Sequence, residues 1–136
     1  MATINSYTNI EQSRKLAEIL PLESADMKWF FWKEEIDAPK PPTFGYSKTA
    51  AECYKDTEAV YLPCWSLAAL LGVLPKEIEI DGQHYAPCLF PVQDKWLLKL
   101  WHNSNNTITS PISIFSDNAI DACYEMIQKL NEQNLL

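Results

Sequence analysis

The sequence has little glycine, few basic residues and no long hydrophobic run. Only 3 of its 136 residues are glycine, which argues against a glycine-rich loop that cradles a phosphate group. The chain has 11 Lys and Arg residues and 18 Asp and Glu residues, so the net charge is −7. The chain as a whole therefore does not attract nucleic acid or an anionic membrane. The apolar stretch at residues 65–74 is about half as long as a membrane-spanning helix.

Close cysteine pairs and a secretory signal are also missing. The N-terminal residues MATINSYTNIEQ lack the basic N-terminal region and the apolar segment of such a signal. We therefore expect a cytoplasmic protein that does not contact membranes. Cys53, Cys64, Cys88 and Cys123 are scattered and form no CxxC motif. Scattered cysteines in a cytoplasmic protein are usually reduced and partly buried, so we predict free thiols rather than disulfides or a metal site.

What the chain does contain is typical of a folded protein. Hydrophobic residues make up 47% and charged residues 21%, which is ordinary for a globular domain. Five Trp, six Tyr and five Phe supply a core and leave some aromatic side chains for a binding surface. We predict one domain spanning residues 1–136, in which residues 37–56 contain a mobile proline-rich loop.

The N-terminal half predicts two helices and a strand. Thr8 and Glu11 fit a T-x-x-E capping box, and Pro21 ends the first helix. Residues 27–36 carry aromatic side chains on both faces, which is typical of a strand covered on both sides. Residues 63–75 begin and end with a proline and predict a central helix that is buried on most sides.

Hairpins dominate the C-terminal half. Asp81-Gly82 separates two alternating runs and predicts a type I′ turn. Pro87 and Pro91 in the second run predict an edge strand or an interruption near Cys88.

Two strands and a long helix complete the predicted elements. Residues 95–102 alternate as a strand, residues 112–115 form a last strand, and Ser116 or Asp117 caps the final helix. The expected fold class is α+β, with an antiparallel meander sheet of four to five strands packed with about three helices, including a long C-terminal helix.

The C-terminal helix, DNAIDACYEMIQKLNEQNLL, carries one apolar stripe. Ile120, Cys123, Ile127 and Leu130 are spaced 3, 4 and 3 residues apart and so share a face. A thiol in such a stripe is buried and inert. Acidic side chains in the first turn complement the helix dipole, so we interpret them as structural rather than catalytic.

Candidate chemistry is sparse. His84 and Cys88 share a strand face but lie roughly 13 Å apart, too far to bind one metal ion without a bend. Pro87 could supply such a bend, and His102 or Cys64 could then join them as metal ligands. A nucleophile pair of Cys88 with His84 or with His102 would need the two side chains to lie side by side, which one sequence does not show. We predict no metal, no cofactor and no catalytic residue.

Exposed aromatic residues are the strongest candidates for function. Lys95, Lys99 and Trp101 share one strand face and would suit a nucleotide or a nucleic-acid single strand. The acidic net charge favours a solvated sheet face instead, so nucleic acid is not an expected partner. Residues 29–32 place two aromatic side chains on each face of a strand, which leaves one pair exposed unless both faces are covered. The candidate binding residues are Trp32, Lys95, Lys99 and Trp101.

Three segments carry a resemblance to a known group of proteins. Residues 11–27, 63–78 and 117–136 resemble segments shared by short hypothetical proteins from phages and prophages of gut Bacteroides-type bacteria. The distinctive features are a W-S-L-x-A-L-L helix, a strand bearing Trp and a closing D-A-C-Y-E-M helix. The resemblance implies a small accessory protein made inside a bacterial host, and it implies no catalytic residues.

We therefore expect a non-enzymatic protein that acts by protein–protein interaction, with a host or phage protein or a second copy of itself as the partner. The first alternative is a small-ligand or nucleotide-binding protein with an aromatic-lined pocket, followed by a hydrolase-type enzyme or a nucleic-acid binder. An enzyme requires convergent polar groups with perturbed pKa values in a pocket. A ligand binder requires an aromatic-lined concavity, and an interaction protein requires an exposed apolar patch.

Overall fold

A computed structural model describes residues 6–32, 40–45, 59–105 and 107–136. The chain divides into two compact units, one spanning Tyr7–Ala69 and the other containing Leu70–Leu136. The elements in chain order are α1 (Ile10–Ile19), a 3-10 turn (Leu22–Ser24), β1 (Met27–Trp32), β2 (Lys40–Phe44), β3 (Ala59–Cys64), α2 (Leu67–Val73), β4 (Ile78–Ile80), β5 (Gln83–Val92), β6 (Lys95–His102), β7 (Ser113–Ser116) and α3 (Ala119–Glu132).

The predicted α+β class is confirmed. The part of the chain that the structure describes has three α-helices, and the longest of them lies near the C-terminus. Its strands form two antiparallel sheets, a three-stranded sheet in the order β2-β1-β3 and a four-stranded sheet in the order β4-β5-β6-β7. The four-stranded sheet is the predicted meander, whereas the N-terminal strands form a sheet of their own. That residues 1–136 form a single domain stays a prediction.

Helix α1 is capped one residue later than predicted. The Asn9 side chain accepts a hydrogen bond from the Gln12 N–H at 2.8 Å, and the Gln12 side chain accepts one from the Asn9 N–H at 3.1 Å. This pair is a capping box, so the assignment to Thr8 is wrong. Thr8 is buried instead, and its hydroxyl lies 2.7 Å from that of Ser13 and accepts from the Trp65 N–H at 3.1 Å.

Strand β1 buries only one of its faces. Trp29 and Phe31 are buried, whereas Phe30 is half-buried and Trp32 is 44% exposed. Met27 and Trp29 form a buried cluster with Cys64 of β3, and Ile10 of α1 packs against this cluster. The prediction of a strand covered on both sides is therefore wrong for residues 27–32, and one aromatic pair remains at the surface.

Part of the predicted proline loop is a strand. Lys40–Phe44 form β2, which pairs with β1. Pro41 and Pro42 are tolerated because β2 is an edge strand, and the pairing register with β1 shifts opposite them. The rest of that predicted loop, residues 37–39 and 46–56, lies outside the described residues.

Helix α2 is shorter and more exposed than predicted. Pro63 and Cys64 end β3 rather than starting the helix, and Ser66 caps α2 by accepting a backbone hydrogen bond at 3.2 Å. Leu70 is its buried residue, while Leu71 is 41% exposed. The prediction of a helix buried on most sides is wrong, because an apolar sequence without periodicity does not indicate which side chains are covered.

The hairpin prediction is confirmed at β4 and β5. Asp81 has φ 52° and Gly82 has φ 77°, as a type I′ turn requires at both central positions. Strand β4 pairs only with Gln83–Tyr85, so the rest of β5 has an open edge on that side.

The prolines of β5 fit this open edge. Because Gln83 flanks a two-residue turn, its backbone N–H points towards β4, and every second residue after it points the same way. Pro87 and Pro91 fall on those positions, where a missing N–H costs no ladder hydrogen bond. The predicted edge character agrees with the structure, but the predicted interruption near Cys88 is wrong because β5 runs unbroken from Gln83 to Val92.

The core of the second unit lies between the sheet and α3, which packs against β6 and β7. Leu98 and Leu100 of β6 are buried, as their alternation predicts. Asn118, rather than Ser116 or Asp117, caps α3 by accepting from a backbone N–H at 3.0 Å. The predicted apolar stripe is confirmed, since all four of its members are buried: Ile120, Cys123, Ile127 and Leu130.

Candidate binding surface

The candidate binding surface is the solvent-facing side of the four-stranded sheet. Side chains alternate between the two faces of a strand, and one face here supplies the buried residues Leu98, Leu100 and Ile114. We call the other face the outer face. In β5, β6 and β7 it consists of His84, Ala86, Cys88, Phe90, Val92, Lys95, Leu97, Lys99, Trp101, Ser113 and Phe115.

Large apolar side chains are exposed on the outer face. Trp101 is 39% exposed and Phe115 is 59% exposed, while Phe90 and Leu97 are half-buried. Leu97 pairs with Phe90 on one side and with Phe115 on the other. The exposed rings therefore belong to one continuous surface rather than to isolated positions.

A lysine lies among these rings. The Nζ atom of Lys99 is 4.5 Å from the centre of the Trp101 ring and 5.7 Å from that of Phe90, within the range of cation–π attraction. The salt bridges in the described part of the chain do not involve Lys99. Its charge is held by the faces of aromatic rings and has no carboxylate partner there.

The structure divides the four predicted binding residues. Lys99 and Trp101 are in contact, as described above. Lys95 lies on the same strand face at its far end, where its Nζ is 3.6 Å from Asp117 Oδ1, so its charge is compensated. Trp32 belongs to the three-stranded sheet, where its ring packs edge-on against Phe30 at 5.1 Å.

Two aromatic members of the outer face, Phe90 and Phe115, were not predicted from the sequence. Phe90 was predictable, because the two residues Gln93-Asp94 between β5 and β6 fix their register and place Phe90 opposite Leu97. Phe115 follows a connection that is too long to fix a register, so no local signal assigned it to this face.

His84, Cys88 and His102 do not converge. His84 and Cys88 lie on the outer face, whereas His102 lies on the buried face and is 7% exposed. His102 Nε2 is 2.7 Å from Gln83 Oε1, and Nδ1 accepts from two backbone N–H groups at 3.2 and 2.9 Å. These bonds give His102 a structural role in holding the turn after β6. The described residues contain no group of three or more His, Cys, Asp or Glu that would hold a metal ion.

Three cysteines lie in the described ranges, and all three are free thiols: Cys64, Cys88 and Cys123. Burial raises the pKa of Cys123 to about 12, which agrees with an inert core thiol. Burial also raises the pKa of Cys64, although hydrogen bonds with Thr8 and Ser13 oppose the rise. Cys53 lies in a part of the chain that the structure does not describe.

No family model, curated protein or solved structure matches this chain. Among the described residues, no helix combines the length and the apolar character needed to cross a membrane.

Proposed function

We propose that this protein acts by binding another protein through the outer face and that it catalyses no reaction. The observation that carries the proposal is the exposure of Trp101 and Phe115 beside Lys99 on one sheet face. Tryptophan is enriched among the residues that contribute most to protein–protein affinity, particularly where apolar and polar contacts meet. The resemblance to phage and prophage proteins supports an accessory role in a bacterial cytoplasm, with a host or phage protein as the partner.

The chemistry of the outer face constrains the partner. Burying Lys99 without a counter-charge would be costly, and the described residues provide it with no carboxylate. We therefore expect the partner to place an Asp or Glu side chain near Lys99 and apolar side chains against Trp101 and Phe115. Such a partner also explains why a protein of net charge −7 keeps a lysine at the centre of its exposed apolar surface.

Trp101→Ala is expected to weaken partner binding by about 30-fold or more, the effect of losing about 2 kcal/mol at a central aromatic contact. Its thermal midpoint is expected to stay close to that of the wild type, because the side chain is partly exposed. The partner is captured from lysate of the bacterium that makes this protein and is then titrated against purified variants. Sedimentation velocity measures self-association in the same variants.

Trp32→Ala is the matched control, because Trp32 is similarly exposed, at 44%, but belongs to the three-stranded sheet. We expect it to bind the partner like the wild type. Equal losses in both variants, or no loss in Trp101→Ala, would contradict the assignment of binding to the outer face.

A further inference from the structure

An open depression of about 270 Å³ lies on the three-stranded sheet. It is on the face of β1 opposite the buried residues Trp29 and Phe31, because its members on β1 alternate with them. The depression is lined by Lys28, Phe30, Pro41, Thr43 and Tyr61. Every strand of the sheet contributes to this lining.

Two aromatic rings form the apolar wall of the depression. Phe30 on β1 pairs directly with Tyr61 on β3, and their ring centres are 5.2 Å apart at an interplanar angle of 56°. Trp32 packs edge-on against Phe30 at 5.1 Å, which supports the position of that ring. Tilted rings that are partly open to solvent offer a flat molecule a stacking surface.

One positive charge lies beside these rings. Lys28 Nζ is 5.8 Å from the centre of the Tyr61 ring, and the salt bridges of the described residues do not involve Lys28. None of the described residues that line the depression is acidic. Thr43 lies directly opposite Lys28 on β2 and adds a hydroxyl group. The depression therefore combines an aromatic surface, a cation and a neutral hydrogen-bonding group.

We propose that this depression binds a small planar aromatic anion. The ring of the ligand stacks on Phe30 and Tyr61, and its anionic group pairs with Lys28. A volume of about 270 Å³ is slightly below the usual range for drug-sized ligands, so the site suits a molecule of one or two fused or linked rings. This site is separate from the outer face and does not depend on the function proposed above.

The selectivity follows from charge. A net charge of −7 repels anions from the protein as a whole. Among the described residues of the lining, Lys28 is the group that attracts the anionic part of the ligand, and this attraction adds to the stacking of its ring. A neutral molecule of the same shape gains the stacking alone. Affinity for the anion is therefore expected to depend on Lys28, while affinity for the neutral analogue is not.

The probes are 1-anilinonaphthalene-8-sulfonate and its neutral analogue N-phenyl-1-naphthylamine, titrated by fluorescence into the folded full-length protein. The wild type is expected to bind the sulfonate at least tenfold more tightly than the analogue. Lys28→Met is expected to remove that preference and to leave the affinity for the analogue unchanged. Lys99→Met is the matched control, because that lysine also lies over an aromatic ring but belongs to the four-stranded sheet. Its affinities for the two probes are expected to equal those of the wild type.

Thr43→Glu provides a second variant at an exposed position, and circular dichroism confirms that each variant is folded. The new carboxylate would pair with Lys28 and repel the sulfonate, so we expect it to lower sulfonate affinity by about tenfold or more. Equal affinity for the two probes in the wild type would overturn the proposal. Unchanged sulfonate binding in both Lys28→Met and Thr43→Glu, or a loss confined to Lys99→Met, would overturn it as well.

Discussion

Trp65→Ala is expected to lower the free energy of unfolding by about 3–5 kcal/mol. The Trp65 side chain is fully buried, and its indole N–H donates a hydrogen bond to Ser24 Oγ at 2.9 Å. Alanine would leave a large cavity and remove that bond, and close-packed surroundings fill such a cavity only in part. Equilibrium unfolding in urea, followed by circular dichroism, measures the change.

Trp101→Ala is the matched control, because it removes the same side chain from a position that is 39% exposed. The free energy of unfolding of Trp101→Ala is expected to fall by no more than about 1 kcal/mol, since partly exposed side chains contribute little to stability. Similar losses in the two variants would contradict the burial pattern on which the assignment of the outer face depends.

Leu98→Ala is expected to lower the free energy of unfolding by about 2–5 kcal/mol. Leu98 is fully buried on β6, an inner strand of the four-stranded sheet, and pairs with Leu89 on one side and Ile114 on the other. Truncation there opens a cavity where α3 packs on the sheet. Urea unfolding of the purified variant measures the loss.

Leu97→Ala is its control on the same strand. Leu97 is half-buried on the outer face, so we expect a loss of about 1 kcal/mol or less. A Leu97→Ala variant that loses as much as Leu98→Ala would show that the outer face is covered in the folded protein. That result would remove the physical basis for an exposed binding surface.

The elements predicted correctly from the sequence depend on local signals. Asp81-Gly82 sets the turn of its hairpin through backbone conformation alone. The alternation of residues 95–102 and the helical spacing around Cys123 indicate buried faces without knowledge of any partner element. The predicted α+β class and the long C-terminal helix follow from these signals.

The incorrect predictions fall where two sequence patterns fit the same element, or where an element depends on pairing between segments that are distant in the sequence. Thr8 with Glu11 and Asn9 with Gln12 both fit a capping box, and the structure uses the second because Thr8 is buried against Trp65. The pairing of β3 with β1 extends to Cys64 and so delays the start of α2. That pairing spans a long connection, and no local pattern predicts its register.

The candidate binding surface was predictable only in part, for the same reason. Lys99 and Trp101 lie two residues apart on one strand, so alternation places them together. Phe115 joins them only through the pairing of β6 with β7. The depression at Lys28 and Tyr61 likewise depends on a long-range strand pairing, so single-strand patterns gave no indication of it.

Site-specific photocrosslinking tests the central claim, that the outer face binds a partner, most directly. A benzoylphenylalanine photoprobe is placed at Ser113, which is exposed and pairs with Lys99 across the sheet. A second variant of the same protein carries the photoprobe at Glu125, which is exposed on α3. This helix packs on the other face of the same sheet. We expect irradiation to link the partner to the probe at position 113 and not to the probe at position 125. Crosslinking from position 125 alone, or equally from both positions, would contradict binding through the outer face.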